Sequence, residues 1–321
     1  MGKLRRMMNP PAFQGSMRYR NYFEGWYLKN VSEDLSSVVS FIPGISLSRR
    51  SHSFVQVING TTGWTEYFDF PVEDFKPGKD GFDVEVSGNR FSLEGLHIDI
   101  DKGGHRITSD LGFVNPLSFP KTILSPGIMG WYTFVPRMEC YHGVVSMDHG
   151  LQGSVEIDGE EMDFHGGRGY IEKDWGRSFP ESWIWLQCNN FQSDDISFML
   201  SIAKIPWMGR HFNGFLSFLR IGDKVHRFAT YTGARVERID LDGQELGIVL
   251  GDRKHRLEIT AAQKSAGELA APVRGNMDRR IKESVDSEVS IKLLNMKGDI
   301  EISSNGRRAG LEIMGDIDSL R

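Results

Sequence analysis

Short apolar runs with period-two alternation recur along the chain, each closed by a turn dipeptide. Ser53-Phe54-Val55-Gln56-Val57-Ile58 runs into Asn59-Gly60, Phe82-Asp83-Val84-Glu85-Val86 into Ser87-Gly88, and Ser154-Val155-Glu156-Ile157 into Asp158-Gly159. Farther on, Phe215-Leu216-Ser217-Phe218-Leu219 precedes Ile221-Gly222, and Gly247-Ile248-Val249-Leu250 precedes Gly251-Asp252. Strict alternation sends successive side chains to opposite faces, and Asn-Gly or Asp-Gly pairs supply the positive φ that a tight hairpin needs. The pattern predicts an all-β protein of antiparallel strands. Long segments with a 3.6-residue period are absent. The best helical candidate is 261–270, rich in Ala, Lys and Glu and stopped by Pro272 and Gly275. The charged tract Arg274 to Glu283 reads as a solvated loop or a short helix end.

The strand pattern also repeats. Trp26-Tyr27-Leu28-Lys29-Asn30 aligns with Trp185-Leu186-Gln187-Cys188-Asn189, 159 residues later. Phe41-Ile42-Pro43-Gly44 resembles Lys204-Ile205-Pro206-Trp207-Met208-Gly209. Phe54-Val55-Gln56-Val57-Ile58-Asn59-Gly60 matches Leu216-Ser217-Phe218-Leu219-Arg220-Ile221-Gly222, 162 residues on. Three matches in order at a nearly constant offset predict two copies of one β unit. Each copy, of roughly 150 residues and about eight to ten short strands, has the size of an up-and-down barrel, which removes sheet edges and can enclose an apolar ligand. The predicted layout is an N-terminal extension over 1–18, a β domain over 19–166 and a second over 167–321, packed side by side as tandem antiparallel barrels or sandwiches. One segment breaks the rhythm, from Asn115-Pro116 through Ser125-Pro126-Gly127 to Trp131. Three prolines and two glycines forbid regular structure there, yet Leu117, Phe119, Ile123, Leu124, Ile128, Met129 and Trp131 are apolar. It reads as a plug packed on the seam between the copies, with a lid over a pocket as the alternative.

Bulk composition narrows the function classes. At 39% hydrophobic and 25% charged residues, the chain has an ordinary globular composition. A net charge of −5 implies no nucleic-acid partner. The basic start Met1-Gly2-Lys3-Leu4-Arg5-Arg6 has no apolar run behind it and does not read as a signal peptide, and no stretch approaches the apolar length of a membrane helix. Cys140 and Cys188 sit in strand-like segments and read as buried thiols, which fits a reducing cytoplasm. There is no phosphate loop, dinucleotide fingerprint or nucleophile elbow, and Gly166-Gly167-Arg168-Gly169 reads as a turn. His142, Asp148, His149 and His165 match no metal-ligand spacing. The expectation is no metal and no cofactor.

The densest chemistry lies in Gly169-Tyr170-Ile171-Glu172-Lys173-Asp174-Trp175-Gly176, followed by Phe179-Pro180 and Trp183-Ile184-Trp185. In an extended chain Glu172 and Asp174 share one face, Lys173 and Trp175 the other. Glu24 with Trp26, and Trp183 with Trp185, are matched in the same way. The plain reading is an ion-paired turn. The chemical reading is a carboxyl group whose pKa is raised by a neighbouring carboxylate and apolar surroundings.

These stretches, with Tyr22-Phe23-Glu24-Gly25-Trp26-Tyr27 and Gly130-Trp131-Tyr132-Thr133-Phe134-Val135-Pro136-Arg137-Met138-Glu139-Cys140-Tyr141-His142-Gly143, resemble the tocopherol cyclase family. The resemblance runs from about residue 20 to at least 220. Plant members carry Asn at the position of Asp174, so this chain has one acid more. The resemblance implies two lipocalin-like β domains and a cofactor-independent cyclase that closes a chroman ring on a prenylated hydroquinone. An acid protonates the alkene, aromatic faces stabilise the tertiary cation, and the phenol oxygen captures it. The candidate acids are Glu172, Asp174 and Glu24. The candidate substrate-binding residues are Trp26, Trp131, Tyr170, Trp175, Trp183, Trp185 and His142. The expected partner is a hydrophobic small molecule, with peripheral membrane contact as a route of uptake. The alternative is a non-catalytic lipocalin-like binder of an isoprenoid lipid.

Overall fold

A computed structural model describes residues 3–136, 138–207, 210–264 and 266–321. Met1-Gly2 of the basic start, Arg137 of the family-like stretch, Met208-Gly209 of the repeat and Ser265 of the helical candidate lie outside the described residues. The alternation becomes strands almost everywhere. The first six are β1 (Tyr22–Val31), β2 (Val38–Leu47), β3 (His52–Asn59), β4 (Trp64–Pro71), β5 (Phe75–Pro77) and β6 (Asp83–Val86). Six more follow: β7 (Asn89–Ser92), β8 (Gly95–Lys102), β9 (His105–Val114), β10 (Cys140–Ile157), β11 (Glu160–Asp163) and β12 (Arg168–Gly176). They form one sheet in the order β4-β3-β2-β1-β12-β10-β9-β8-β7-β6-β5, with β11 paired to β10. Then come β13 (Trp183–Cys188), β14 (Ile196–Trp207), β15 (Arg210–Ile221), β16 (Lys224–Ala229) and β17 (Arg235–Asp242). The last five are β18 (Glu245–Gly251), β19 (His255–Ala262), β20 (Gly267–Val273), β21 (Asn276–Asn295) and β22 (Ile300–Met314). The second sheet has the order β16-β15-β14-β13-β22-β21-β19-β18-β17, with β20 paired to β21.

The two orders follow one scheme. Four consecutive strands are laid outward from the first, the last strand closes on the first, and the preceding strands follow in descending order. The duplication hinted at by the repeat thus recurs as shared topology. The aligned side chains do not follow it. Trp26 enters the core of the first sheet, whereas Ile184 and Leu186, not Trp185, enter the core of the second. An offset of one residue inverts a strand's faces.

By its contacts the chain divides into two compact units, Met1–Phe179 with Leu269–Arg280, and Pro180–Glu268 with Ile281–Arg321. A seam at residue 166 would assign β12 to the second domain, but β12 is hydrogen-bonded between β1 and β10 of the first sheet. Within the first unit the Gln56 amide clamps the backbone of Ala270, donating to its oxygen at 3.3 Å and accepting from its nitrogen at 2.7 Å.

Two local expectations fail. Among its described residues, 261–270 forms no helix: β19 ends at Ala262, and Leu257, Ile259 and Ala261 alternate into the second core. Tertiary pairing there outweighs a modest helix propensity. Nor is Arg274 to Glu283 a solvated loop. Arg274 and Gly275 turn the chain at positive φ, 49° and 82°, and β21 starts at Asn276. The segment between β9 and β10 divides in two. Phe119, Ile128 and Met129 are buried, while Leu117, Ile123, Leu124 and Trp131 are exposed. No helix among the described residues is long and apolar enough to cross a membrane.

What positions the site is a property of the central strands. β9 is half-buried, with Ile107, Leu111 and Phe113 inward and Asp110 exposed. β1, β12 and β13 are buried along nearly their whole length. Polar residues on the faces turned from their cores are therefore also withdrawn from water, where unpaired polar groups are costly.

Candidate active site

On β12 the side chains alternate as the motif predicts. Ile171 and Trp175 belong to the core of the first unit, and Lys173 shares their face. Tyr170, Glu172 and Asp174 take the other. The register sets Tyr27 of β1 and Val144 of β10 opposite Glu172, and Gly25 and His142 opposite Asp174. Gly25 contributes no side chain, and β10 is bulged between Val144 and Ser146, a device that re-aims nearby side chains.

On this outward face His142 lies between two carboxylates. Its Nδ1 is 3.0 Å from Asp174 Oδ1 and its Nε2 is 3.5 Å from Glu172 Oε2. The first is a hydrogen bond. The second is a charge contact without one, and Nε2 is buried with no hydrogen-bond partner. The Tyr170 hydroxyl donates to Glu172 Oε2 at 2.7 Å. Side-chain exposure falls from 25% at Asp174 through 11% at His142 to 6% at Glu172. Burial pulls the imidazole toward its neutral form, but Glu172 and then Asp174 reverse this, and the pKa of His142 is raised to about 9. At neutral pH the cluster therefore holds a proton on its histidine. Burial, aided by the carboxylates, pushes the Tyr170 phenol and the Cys140 thiol well up, so both stay neutral.

The inward face of the same strand is built differently. Lys173 Nζ lies 2.5 Å from Glu24 Oε1, both side chains fully buried. Lys173 also donates to the carbonyls of Pro10 and Ala12 at 2.8 and 2.5 Å, and sits 4.7 and 4.8 Å over the rings of Trp26 and Trp175. Glu24 accepts from the backbone nitrogens of Gln14 and Gly15 at 2.8 and 2.9 Å and from the Tyr22 hydroxyl. Trp26 Nε1 donates to Pro11 O at 3.0 Å. Residues 10–15 thus form a strap across this face. Burial lowers the Lys173 pKa to about 8 against the pull of Glu24. A buried pair is tolerable only when its spare protons and lone pairs are satisfied, and the strap satisfies them.

The expected site residues therefore fall into separate groups. Tyr170, Glu172, Asp174 and His142 come together. Glu24, Trp26 and Trp175 gather around Lys173 on the opposite face. Trp131 is 50% exposed and stacks on Tyr132 at 4.2 Å. Trp183 and Trp185 lie in the second unit, where Trp183 Nε1 donates to Glu312 Oε2 at 2.5 Å. Two features escape sequence reasoning: the strap, and the position of His142 between the acids. Both depend on register between distant segments, which no local spacing announces.

The donor atoms of His142, Glu172 and Asp174 all lie within 4.8 Å of one another, the one such group among the described residues. Asp174 takes one ring nitrogen and Glu172 the other, however, so a cation bound to Nε2 would share Glu172 and leave Asp174 to orient the ring through Nδ1. Asp148 is instead paired with Arg168 at 3.1 Å, and His149 packs on Phe113 with its pKa lowered to about 3 by burial.

A family model described as tocopherol cyclase-like matches residues 114–315, which include this cluster. The chain is 29% identical over 199 residues to the chloroplastic tocopherol cyclase of Zea mays, a match covering 58% of this chain and 41% of the maize protein. The chain thus spans about two fifths of that relative's length. Among solved structures, CghA aligns with a TM-score of 0.58 at 13% identity, covering 92% of this chain and 88% of CghA. A candidate AttH from Nitrosomonas europaea aligns at 0.51 and 12%, covering 90% and 92%. At such identities these two establish the shared, lipocalin-like fold alone.

Proposed function

The chain belongs to the tocopherol cyclase-like family, and from that premise we propose that it is a cyclase acting on a prenylated hydroquinone or a related isoprenoid. The observation that carries this is the buried cluster on the outward face of β12. Its two carboxylates face a histidine, a base that can give up its proton, while the adjacent Lys173 is committed to Glu24.

Ring closure needs a proton on the less substituted alkene carbon, stabilisation of the resulting tertiary cation, and an acceptor for the phenol proton. In this reading Glu172 delivers the first proton. The phenol oxygen then forms the C–O bond to the tertiary carbon, and its proton returns to the vacated carboxylate. Atoms balance and the product is an isomer of the substrate. The negative charge of the cluster and the face of Tyr170 stabilise the cation. Trp131 remains a candidate for holding the prenyl chain. Glu24, Trp26 and Trp175 hold the strap instead. A hydrophobic small molecule is the partner this chemistry requires.

The test is incubation with a prenylated hydroquinone, followed by chromatography for a product of unchanged mass. A general acid contributes roughly 10²- to 10⁴-fold. Glu172→Gln should lower turnover by about that factor while ligand affinity stays within about tenfold, or ~1.4 kcal/mol. If Glu172→Gln and Asp174→Asn both cyclise at the wild-type rate, the acid assignment is wrong. Tight binding of the quinol with no isomer formed by the wild type would favour a lipid binder.

A further inference from the structure

A carboxyl group that hands its proton to carbon must be recharged, and cyclisation neither produces nor consumes protons overall. An acid that rests as a carboxylate therefore needs a store that lends it a proton for each turnover and takes one back, without opening the site to water. His142 meets the geometric requirement. One nitrogen is anchored, Nδ1 on Asp174 at 3.0 Å. The other, Nε2, is buried, makes no hydrogen bond and faces Glu172 at 3.5 Å, within a small side-chain rotation of a transfer distance.

We propose that His142 is the proton reservoir of the cluster, lending a proton from Nε2 to Glu172 and recovering it through the same carboxylate, while Asp174 fixes the ring through Nδ1–H. The steps balance. The imidazolium gives a proton to the Glu172 carboxylate, leaving neutral imidazole and carboxylic acid. The acid protonates the alkene, and the phenol oxygen closes the C–O bond. The phenol proton passes to Glu172 and back to Nε2, restoring the starting state. His142 acts through Glu172 and is a positioning residue for the proton.

The surroundings suit the role. Titratable groups facing His142 are Glu172, Asp174 and Tyr170 from β12, Cys140 from its own strand, and Tyr27 opposite Glu172 on β1. Burial keeps Tyr170 and Cys140 protonated, so neither competes as a base at neutral pH. The backbone that carries the ring is held as well, because the His142 nitrogen donates to Met129 Sδ at 3.2 Å. Exposure declines from Asp174 inward, so exchange with water enters at the Asp174 end, away from Glu172.

The chemistry rests on the cyclase reading, but the coupling of His142 to Glu172 can be tested without a substrate. Protein labelled with ¹⁵N-histidine is titrated by NMR from pH 6 to 10. The wild-type ring should remain imidazolium through pH 7, and Glu172→Gln should lower its midpoint by at least one pH unit. A neutral His142 at pH 7, or a midpoint indifferent to Glu172→Gln, overturns the proposal whether or not the protein is a cyclase. A cationic, coupled His142 in a protein that makes no cyclised product overturns the cyclase reading and leaves the coupling standing. With activity in hand, His142→Gln should lower kcat about 10- to 100-fold, leave KM within about threefold, displace the alkaline limb of the pH profile and respond to added imidazole. Unchanged kcat and pH profile in that variant would refute the reservoir.

Discussion

On the inward face of β12, Lys173 meets Glu24 at 2.5 Å; on the outward face, Glu172 and Asp174 meet His142 at 3.5 and 3.0 Å. The inward cluster is fully buried and the outward one partly so, and both join acids to a base. They differ in what else is satisfied. Every contact of the inward pair is doubled by the strap, with two carbonyls on the lysine and two amides on the glutamate. The outward cluster leaves one ring nitrogen without a hydrogen bond. Period-two alternation keeps the lysine from quenching the acids beside it in sequence. One strand thus carries a lock on one side and a chemically open cluster on the other.

The most damaging way to break this comparison is Lys173→Met. It leaves Glu24 buried with its countercharge gone and removes the strap's anchor. Breaking such a pair from one side costs about 3–5 kcal/mol, to be read as a fall in the urea midpoint. Lys173→Met with Glu24→Gln should recover part of the loss, because no bare charge remains. A cost below about 1 kcal/mol for the single variant would mean that the inward pair locks nothing.

The two histidines of β10 allow a sharper contrast through pH. His142 has a folded pKa of about 9 against an unfolded value near 6.5. Its stabilisation is complete below pH 6.5 and is lost as pH rises toward 9, about 3 kcal/mol in all. His149 is held at about 3 by burial alone. Its folded form refuses a proton that the unfolded chain accepts, so stability erodes as pH falls below 6.5. The two effects together predict a stability maximum near pH 6.5 in urea titrations between pH 5 and 10. Lys173, held at about 8, works in the opposite sense to His142 above that pH. The His142 share is therefore the difference between wild type and His142→Gln. An alkaline decline of equal size in both would show that His142 is not held by its carboxylates.

Much of this was legible in the chain. The alternation gave the strands, and Asp158-Gly159 and Ser87-Gly88 are turns at positive φ. The motif's own alternation separated Glu172 and Asp174 from Lys173. What stayed hidden depends on register. His142 and Asp174 are 32 residues apart and meet because β10 pairs with β12. Pro10 and Lys173 are 163 apart. Grouping Glu24 with Glu172 failed because Glu24 stands opposite Trp175 and so shares the inward face. The aligned Trp26 and Trp185 show the same limit, since similarity between strands does not fix which face a residue takes.

The smallest predicted effect tests whether the two faces are independent. Gly143 follows His142 on β10 and pairs with Lys173. A Cβ there would lie 3.3 Å from Trp175 Cζ3 and 3.4 Å from Pro10 Cβ, so Gly143→Ala presses on the strap and the inward aromatic without touching the outward cluster. The contacts are tight by a few tenths of an ångström and Pro10 can move, which keeps the cost to about 1 kcal/mol or less. If the strand insulates one face from the other, turnover per folded molecule should change by less than about twofold. Pro10 also abuts Gly127, two residues before the Met129 that holds the His142 backbone. That gives a mechanical route by which the strap could reach the cluster. A tenfold loss of turnover in Gly143→Ala, with stability nearly unchanged, would show that the route is used and that the lock helps to aim the histidine.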